Sequence, residues 1–260
     1  MAKNFVYPVA QAVITDGVRD ETVNGATTYD FNDAATPGDN VTDRERISDQ
    51  SIGTAISDFG ADDVLRFDLG SAFACDSIAI YMSTSTSNDI EVYTGSDDDG
   101  LDMDTSTTMP ILTKASQATG WSVGAFTEAT KRYWFVRSKD GDVDASEIFF
   151  GIKYDFPINF ELNNTLGELS GADNITAWGG QEYSNKRHEN KTTWNWNWKY
   201  MSAAHKAAMD TLNSTVGDHT KFIYDDETTK HWVKQAKLMK FTEVAPSVYS
   251  TSVSLREQLI

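Results

Sequence analysis

The sequence has little of several features on which common protein classes depend. It contains a single cysteine, Cys75, so no disulfide can form within the chain, and the thiol is expected to pack as a small apolar group. No apolar run approaches the length of a membrane-spanning helix, which predicts no insertion into a membrane. The N-terminal residues lack the apolar core of a signal peptide, which predicts synthesis in a cytoplasm.

Positive charge is also scarce. The 260 residues include 22 Lys and Arg against 39 Asp and Glu, a formal charge of −17, which argues against nucleic acid and anionic membranes as partners. The excess lies in the first part of the chain, because residues 1–155 carry a net charge of −16 and residues 156–260 a net charge of −1. This difference, together with the chain length, predicts two domains.

Sequence signals of catalysis are missing as well. The chain has no nucleophile elbow, no phosphate-binding glycine loop and no dinucleotide fingerprint. Its four histidines, His188, His205, His219 and His231, show no zinc-ligand spacing, and a structural role is expected for them. Carboxylates are so abundant that no pair of them is informative. We therefore expect no enzymatic activity and no cofactor.

Six short runs rich in β-forming residues dominate the first half of the chain. Each run is closed by turn-forming residues, with no helical pattern between the runs, which is typical of a β-sandwich of jelly-roll type. We place the end of this acidic domain, residues 1–156, at Phe156-Pro157, because proline restricts the residue before it. The runs are VLRFDLG, DSIAIYMS, DIEVYTG, GWSVGAF, KRYWFVRS and SEIFFGIKYDF.

The second half is organised around an alternating row of tryptophans. Trp194, Trp196 and Trp198 alternate with Asn195 and Asn197, so a period of two puts every indole on one face of a strand. Such a strand is half-buried, and the tryptophan face is expected to be the core rather than a ligand platform.

The period changes from two to about one helical turn directly after this strand. An alanine-rich stretch follows, with Met201, His205, Ala208 and Leu212 on one face and Ser202 as a candidate N-cap. This predicts a helix over about 202–213. The domain of residues 157–260 is therefore predicted as a second β-sandwich with a single short helix between strands, which makes the fold mainly β. Within it, residues 166–187 are expected to be loop around one strand.

Two motifs in the first half resemble the galactose-binding-like, discoidin-type β-sandwich. They are Asp68-Leu69-Gly70, which ends a strand, and Arg132-Tyr133-Trp134, which opens a late one. The resemblance covers residues 60–152, and members of that superfamily often bind sugars through their loops. Tryptophans can stack on sugar rings, so Trp121 and Trp134 are the candidates for contact with a glycan.

The second half resembles the β-sandwich domain of tailed-bacteriophage tail-tip and minor tail proteins, including the distal tail class. The resemblance covers residues 158–260 and lies in the order of the elements: a Trp-rich strand, a short helix, an aromatic strand with acidic turn residues, and a last strand ending Leu255-Arg256-Glu257. It implies a cyclic homo-oligomer assembled through this domain, with other tail proteins as neighbours. The predicted core of the assembly domain is Trp194, Trp196, Trp198, Phe222, Tyr224 and Leu255.

One acidic stretch has the spacing that begins a calcium loop, with Asp140, Asp142 and Asp144 on alternate residues. It does not fit an EF-hand, because Ala145 and Gly151 stand where that loop has Gly and Glu. A different calcium site, which could include Asp97 to Asp99, is one hypothesis. An acidic solvated turn is the other.

Together these patterns predict a structural protein of a bacteriophage tail, located in the virion at the tip, tube or baseplate. The alternative is a carbohydrate-binding module that recognises a host surface glycan through its first sandwich. A hydrolase acting on cell-wall sugar has only the abundance of carboxylates in its favour.

Overall fold

A computed structural model describes residues 3–20, 28–30, 56–59, 63–95, 112–139, 141–158, 160–161, 165–178 and 180–258. The chain forms two compact units. The acidic unit is Pro8–Lys153, and the tryptophan unit combines Tyr154–Leu259 with Met1–Tyr7. Strand β1 (Asn4–Pro8) opens the chain, so the first residues, assigned from sequence to the acidic domain, lie in the unit of the C-terminal half.

Both units are built from antiparallel strands, as the sequence predicts, and the described residues contain one helix. That helix is too short and too polar to cross a membrane. After β1 the chain enters the acidic unit. Its strands are β2 (Val13–Asp20), β3 (Thr28–Asp30), β4 (Ile56–Phe59), β5 (Asp63–Met82), β6 (Ile90–Gly95), β7 (Leu112–Lys114), β8 (Gly120–Ser138) and β9 (Val143–Asp155).

The sheet order of the acidic unit is β9-β5-β8-β6-β7, with β2 also paired to β5, β3 to β2, and β4 to β9. The sequence suggested separate strands for VLRFDLG and DSIAIYMS, and likewise for GWSVGAF and KRYWFVRS. In the structure each pair is one long strand, β5 and β8, in which the register shifts between Asp68 and Phe73 and again between Cys75 and Ser77. Such irregularities bend a strand.

The bend folds β5 over its own core. Phe67 and Ile78 would lie about 36 Å apart on a straight strand at about 3.3 Å per residue. Phe67 nevertheless contacts Phe150, with ring centroids at 5.3 Å, and Phe150 is the strand partner of Ile78. The two halves of β5 therefore face each other across one apolar core, as in a β-sandwich whose strands pass from one sheet to the other. Cys75 is buried in this core, and burial raises the pKa of its thiol to about 12.

The tryptophan unit contains one antiparallel sheet in the order β10-β13-β17-β15-β14-β1, with β16 also paired to β17. A separate hairpin pairs β11 with β12. The elements are β10 (Thr165–Leu169), β11 (Ala172–Thr176), β12 (Glu182–Lys186), β13 (Lys191–Ser202), helix α1 (Ala203–Val216), β14 (Phe222–Asp225), β15 (Lys230–Gln235), β16 (Phe241–Ala245) and β17 (Val248–Glu257).

Helix α1 begins as the sequence predicts. The Ser202 hydroxyl accepts a hydrogen bond from the backbone N–H of His205 at 3.2 Å, which caps the first turn. The helix ends at Gly217, whose φ of 57° is the left-handed conformation that glycine adopts readily. Its buried face differs from the predicted one by one position, because Met209 rather than Ala208 is buried. The face consists of His205, Met209, Leu212 and Val216.

Candidate binding surfaces

The predicted core of the assembly domain lies inside the tryptophan unit. Trp194, Trp196 and Trp198 are buried while Asn195 and Asn197 are exposed, as the alternation predicts. Phe222, Tyr224 and Leu255 are buried as well. These six side chains stabilise one copy from within, so any contact with another molecule must use other residues of the unit.

The two tryptophans predicted to contact a glycan occupy different environments. Trp134 is 0% exposed, and its ring packs against Phe150 at 4.8 Å while its Nε1 donates to the carbonyl of Lys131. A ring enclosed in the core presents no face to a sugar. Trp121, at the start of β8, is partly exposed. Of the two, only Trp121 is accessible to a ligand.

Trp121 shares one face of the sheet with the buried residues Tyr81 and Glu147, and Ile80 and Ile148 of the apolar core lie on the opposite face. Its ring makes edge contacts with Tyr81 at 5.4 Å and with Phe149 at 6.0 Å. Tyr81 is the strand partner of both Trp121 and Glu147, so the carboxylate of Glu147 lies on the same face beyond the tyrosine. Burial raises the pKa of the Tyr81 hydroxyl further above neutral pH.

Strand register brings the acidic stretch to the same end of the sheet as Trp121. Met82, the last residue of β5, has Gly120 as its partner on β8 and Ala145 as its partner on β9. Trp121 and Asp144 each adjoin one of these partners in sequence. We call this region the Trp121 end; it comprises Tyr81, Trp121, Thr84, Asn88, Asp142 and Asp144.

The polar groups of the Trp121 end are already ordered. Thr84 donates its hydroxyl to a carboxylate oxygen of Asp144 at 2.9 Å, and the amide of Asn88 donates to the backbone carbonyl of Asp142 at 2.9 Å. Asp142 is exposed. Carboxylates, an amide and a hydroxyl at the same end of a sheet as an aromatic ring can donate and accept hydrogen bonds to a polyhydroxyl ligand.

The calcium hypothesis is only partly covered by the structure. Asp140 and Asp97 to Asp99 lie outside the described residues. Among the residues that are described, no group of three or more His, Cys, Asp or Glu side chains could hold a metal ion. Asp142 and Asp144 supply two carboxylates at the Trp121 end.

A second candidate surface lies in the tryptophan unit, where the sequence suggested mostly loop. Strands β11 and β12 and the turn that joins them form a hairpin, hereafter the arm (residues 172–186). Ile175 and Tyr183 are cross-strand partners on one face, 64% and 56% exposed. Trp178 in the turn is fully exposed. The sequence signal that could have revealed the arm is the glycine-rich turn after Trp178, flanked by two short strands.

The base of the arm is a close backbone contact. The N–H groups of Arg187 and His188 both donate to the carbonyl of Gly171, at 2.8 Å and 3.2 Å. A Cβ at position 171 would lie 1.8 Å from the carbonyl oxygen of His188, so only glycine fits. Arg187 also pairs with Asp173 at the same end of the hairpin.

Exposed large apolar side chains are concentrated in the tryptophan unit. Val13 is the one such residue in the described part of the acidic unit. Contiguous exposed apolar surface on a folded protein commonly marks an interaction site. The members in the tryptophan unit are Ile158, Leu166, Leu169, Ile175, Trp178, Tyr183, Tyr200, Leu238 and Val244.

His231 is the one described histidine that lies between two carboxylates. Its Nε2 lies 3.3 Å from Asp226, and its Nδ1 lies 3.5 Å from Glu257. Burial acts to raise the pKa of both carboxyls, but hydrogen bonds outweigh it and the pKa of each is lowered. Asp226 accepts a hydrogen bond from the backbone of Thr229, and Glu257 accepts one from Thr192. The His231 ring stacks on Tyr224 at 5.8 Å, which fits a structural role.

Comparison with known proteins finds resemblance in structure only. No family model matches the chain, and no curated protein matches it by sequence. Similar solved structures include chitosan-binding module 1 of a chitosanase/glucanase from Paenibacillus sp. IK-5, with 14% identity and a TM-score of 0.37 over 55% of this chain and 97% of that one.

Two further similar structures are CBM32 modules. The CBM32 module of AlyQ, in complex with 4,5-unsaturated mannuronic acid, has 20% identity and a TM-score of 0.35 over 49% of this chain and 94% of that one. A Clostridium perfringens CBM32 module in complex with GalNAc-β-1,3-galactose has 10% identity and a TM-score of 0.37, over 56% and 99%. The three structures named here are carbohydrate-binding modules. At TM-scores below 0.5 no residue role is transferred from them.

Proposed function

We propose that this protein is a non-catalytic binding protein whose acidic unit recognises a carbohydrate. The observation that carries the proposal is the Trp121 end, where a partly exposed indole and ordered carboxylate, amide and hydroxyl groups lie at the same end of the sheet. Ligand sites commonly combine an apolar or aromatic surface with a few fixed polar groups. Carbohydrate is also the ligand class of the modules named above.

Each part of the Trp121 end has a role in this proposal. The apolar face of a sugar ring stacks on Trp121, which Tyr81 and Phe149 hold in place through edge contacts. Asp142 and Asp144 accept hydrogen bonds from sugar hydroxyls, and Asn88 fixes the loop that presents Asp142. The negative charge of the unit favours neutral or cationic sugars over acidic ones.

The test is a glycan array followed by calorimetric titration of the best neutral or amino sugar. Trp121→Ala is expected to weaken binding by roughly tenfold or more, as loss of an aromatic anchor commonly does. Trp178→Ala is the matched control, because Trp178 lies in the other unit and its loss should leave the affinity unchanged. Titrations with and without calcium show whether Asp142 and Asp144 act through a metal. Absence of binding across the array, or binding that survives Trp121→Ala, overturns the proposal.

We propose a second role, assembly of the tryptophan unit into a cyclic homo-oligomer, on a separate observation. Large apolar side chains are exposed in that unit, and its net charge is −1, with 12 basic and 13 acidic residues. Copies of this unit can therefore approach one another without strong repulsion. The location in a phage tail, beside other tail proteins, rests on the sequence resemblance.

Two measurements test the assembly role. Sedimentation velocity of the full chain across a concentration series is expected to show a closed oligomer, and a monomer at every concentration overturns the role. Immunogold electron microscopy of a lysate of the source culture tests the location. Gold at one place on tailed particles supports the virion role, and tailed particles without gold contradict it.

A further inference from the structure

We propose that Gln117 is the positioning residue of the Trp121 end. Its side chain and backbone join the strand that carries Trp121 to the loop that carries Thr84 and Asn88, so that the indole and the polar groups are held as one preformed surface. This inference rests on the proposed carbohydrate binding and names the residue that sets the geometry of that site.

Gln117 is a buried amide in an exposed loop. Residues 115–119 join β7 to β8, and Gln117 is 5% exposed whereas the other residues of this loop are exposed. A polar side chain is buried at low cost only when it is hydrogen-bonded. The Gln117 amide nitrogen donates to the carbonyls of Lys114 and Ala115, both at 3.1 Å, and its amide oxygen accepts from the Ser122 hydroxyl. Both ends of the amide are therefore bonded.

The bond to Ser122 ties the loop to β8 beside the indole. Ser122 directly follows Trp121 in the strand, so the amide oxygen of Gln117 holds the backbone next to the ring. The ammonium group of Lys114 closes the same loop from its other end by donating to the carbonyl of Val123 at 3.1 Å. The start of β8 is thus fixed to the loop that precedes it.

The backbone of Gln117 makes a second link, to the loop after β5. Its N–H donates to the carbonyl of Thr86 at 2.8 Å, and the N–H of Thr86 donates back at 2.9 Å. The Thr86 hydroxyl accepts from the backbone N–H of Asn88 at 3.0 Å. Asn88 and Thr84 hold Asp142 and Asp144, so hydrogen bonds run from the strand of Trp121 through Gln117 to the polar groups.

The residue before Gln117 has a backbone conformation that needs such support. Ser116 has a φ of 43°, in the left-handed region that residues with a Cβ rarely adopt. Strained backbone of this kind persists only where the surrounding contacts determine it. The carbonyls that Gln117 binds belong to the two residues directly before Ser116, so the amide closes the turn around it.

The two links matter because a sugar that contacts both the ring and the polar groups requires them at a fixed spacing. If the loop after β5 and the start of β8 moved independently, binding would have to order one against the other, and affinity would fall. Gln117 makes this connection before the ligand arrives.

The experiment combines calorimetric titration and hydrogen exchange on the full chain, and the probe is the neutral or amino sugar that binds best on the glycan array. Ser122→Ala removes one hydrogen bond to Gln117 from a half-buried position, whereas a change of Gln117 itself would remove three. We expect Ser122→Ala to weaken binding roughly threefold to tenfold. Amides of residues 83–88 should exchange faster in the sugar-free variant.

Two further variants serve as controls. Ser122→Thr keeps a hydroxyl and should bind the sugar like the wild type. Thr127→Ala removes an exposed hydroxyl later in β8 and should leave the affinity and the exchange of residues 83–88 unchanged.

A double-mutant cycle with Asn88→Ala gives the decisive result. Both changes act on one linked unit, so the double variant should lose less affinity than the product of the two single losses. Independent losses, or an unchanged affinity of Ser122→Ala with a lowered unfolding midpoint, show that Gln117 only stabilises its loop. Either outcome overturns the positioning role and leaves carbohydrate binding standing. A wild type that binds no sugar on the array overturns both.

Discussion

Asp68 and Arg132 lie 64 positions apart in sequence and are joined by two hydrogen bonds. Arg132 Nε donates to one carboxylate oxygen at 2.7 Å and a terminal guanidinium nitrogen donates to the other at 2.8 Å. The two motifs on which the resemblance to galactose-binding-like sandwiches depends are therefore in direct contact. The backbone N–H of Gly70 also donates to Asp68, which closes the turn after Leu69.

Arg132→Ala should lower the stability of the acidic unit by about 0.2–1 kcal/mol, because the pair is partly exposed to solvent. The hydrogen bond from Arg132 lowers the pKa of Asp68. The resulting stabilisation is present above the ordinary value of 3.8 and is lost as pH falls through the lowered value in the folded state. Urea unfolding at pH 7 and pH 3 should therefore show a deficit that shrinks in acid, and a deficit that grows in acid contradicts the pairing. Arg132→Lys keeps the positive charge but cannot donate two parallel hydrogen bonds to the carboxylate. This variant should therefore recover part of the stability that Arg132→Ala loses.

Trp196→Ala should destabilise the tryptophan unit by roughly 3–5 kcal/mol, the range for removing a large buried side chain. Its indole stacks on Phe160 with centroids at 4.6 Å and on Phe5 of β1 at 6.1 Å. Loss of the ring opens a cavity between three segments distant in sequence. Chemical unfolding followed by circular dichroism measures the loss. Asn197→Ala, on the exposed face of the same strand, should change stability by no more than about 0.5 kcal/mol.

His205 should make the tryptophan unit sensitive to mild acid. It is buried between Tyr154 and Trp198, and neither ring nitrogen has a hydrogen-bond partner within the described part of the chain. Burial lowers the pKa of His205, so below the ordinary value of 6.5 the unfolded chain binds a proton that the folded chain resists. Stability is therefore complete above pH 6.5 and falls as pH drops below it.

The slope of this loss is at most about 1.4 kcal/mol per pH unit for one proton. His205→Leu should flatten the stability profile between pH 6.5 and the lowered value, whereas His219→Ala, which removes an exposed histidine, should leave it unchanged. Unfolding midpoints measured at half-unit steps of pH provide the comparison. A His205→Leu profile as steep as that of the wild type would assign the acid sensitivity to other groups.

Gly171→Ala should loosen the arm without unfolding the unit. The new Cβ would lie 1.8 Å from the backbone carbonyl oxygen of His188. Backbone cannot move aside as the end of a flexible side chain can, so the contact at the base of the arm must open. Hydrogen exchange of the amides in β11 and β12 should accelerate while exchange in β13 stays slow. Gly167→Ala is the matched control, because its Cβ would meet only the Thr193 hydroxyl at 3.0 Å. Unchanged exchange in the arm would show that the Gly171 contact does not hold its base.

Local patterns in the sequence were sufficient to predict several secondary-structure elements. The alternation around Trp196 predicted the buried face of β13, and Ser202 predicted the start of the helix, which extends to Val216 rather than 213. These features depend on residues within a few positions of one another, so periodicity and capping chemistry determine them. The mainly β fold followed from the spacing of the strand-like runs.

The residues that form the candidate surfaces were harder to predict from the sequence. Trp121 and Trp134 look equivalent in sequence, yet one is partly exposed and the other is enclosed by the folded-over halves of β5 and β8. The acidic stretch near Asp144 and the indole of Trp121 are brought to the same end of the sheet by their separate pairing with β5. Strand register over long separations brings these groups together, and no local pattern encodes it.

By itself the sequence determined the mainly β fold, where helix α1 begins, and that the halves differ in charge. Only the tertiary structure decided that Phe5, at the other end of the chain, completes the core around Trp196, and that the arm carries Trp178 into solvent. The physical reason is the range of the interactions. Hydrogen bonding and periodicity act between near neighbours, whereas burial depends on which distant segments exclude water from each other.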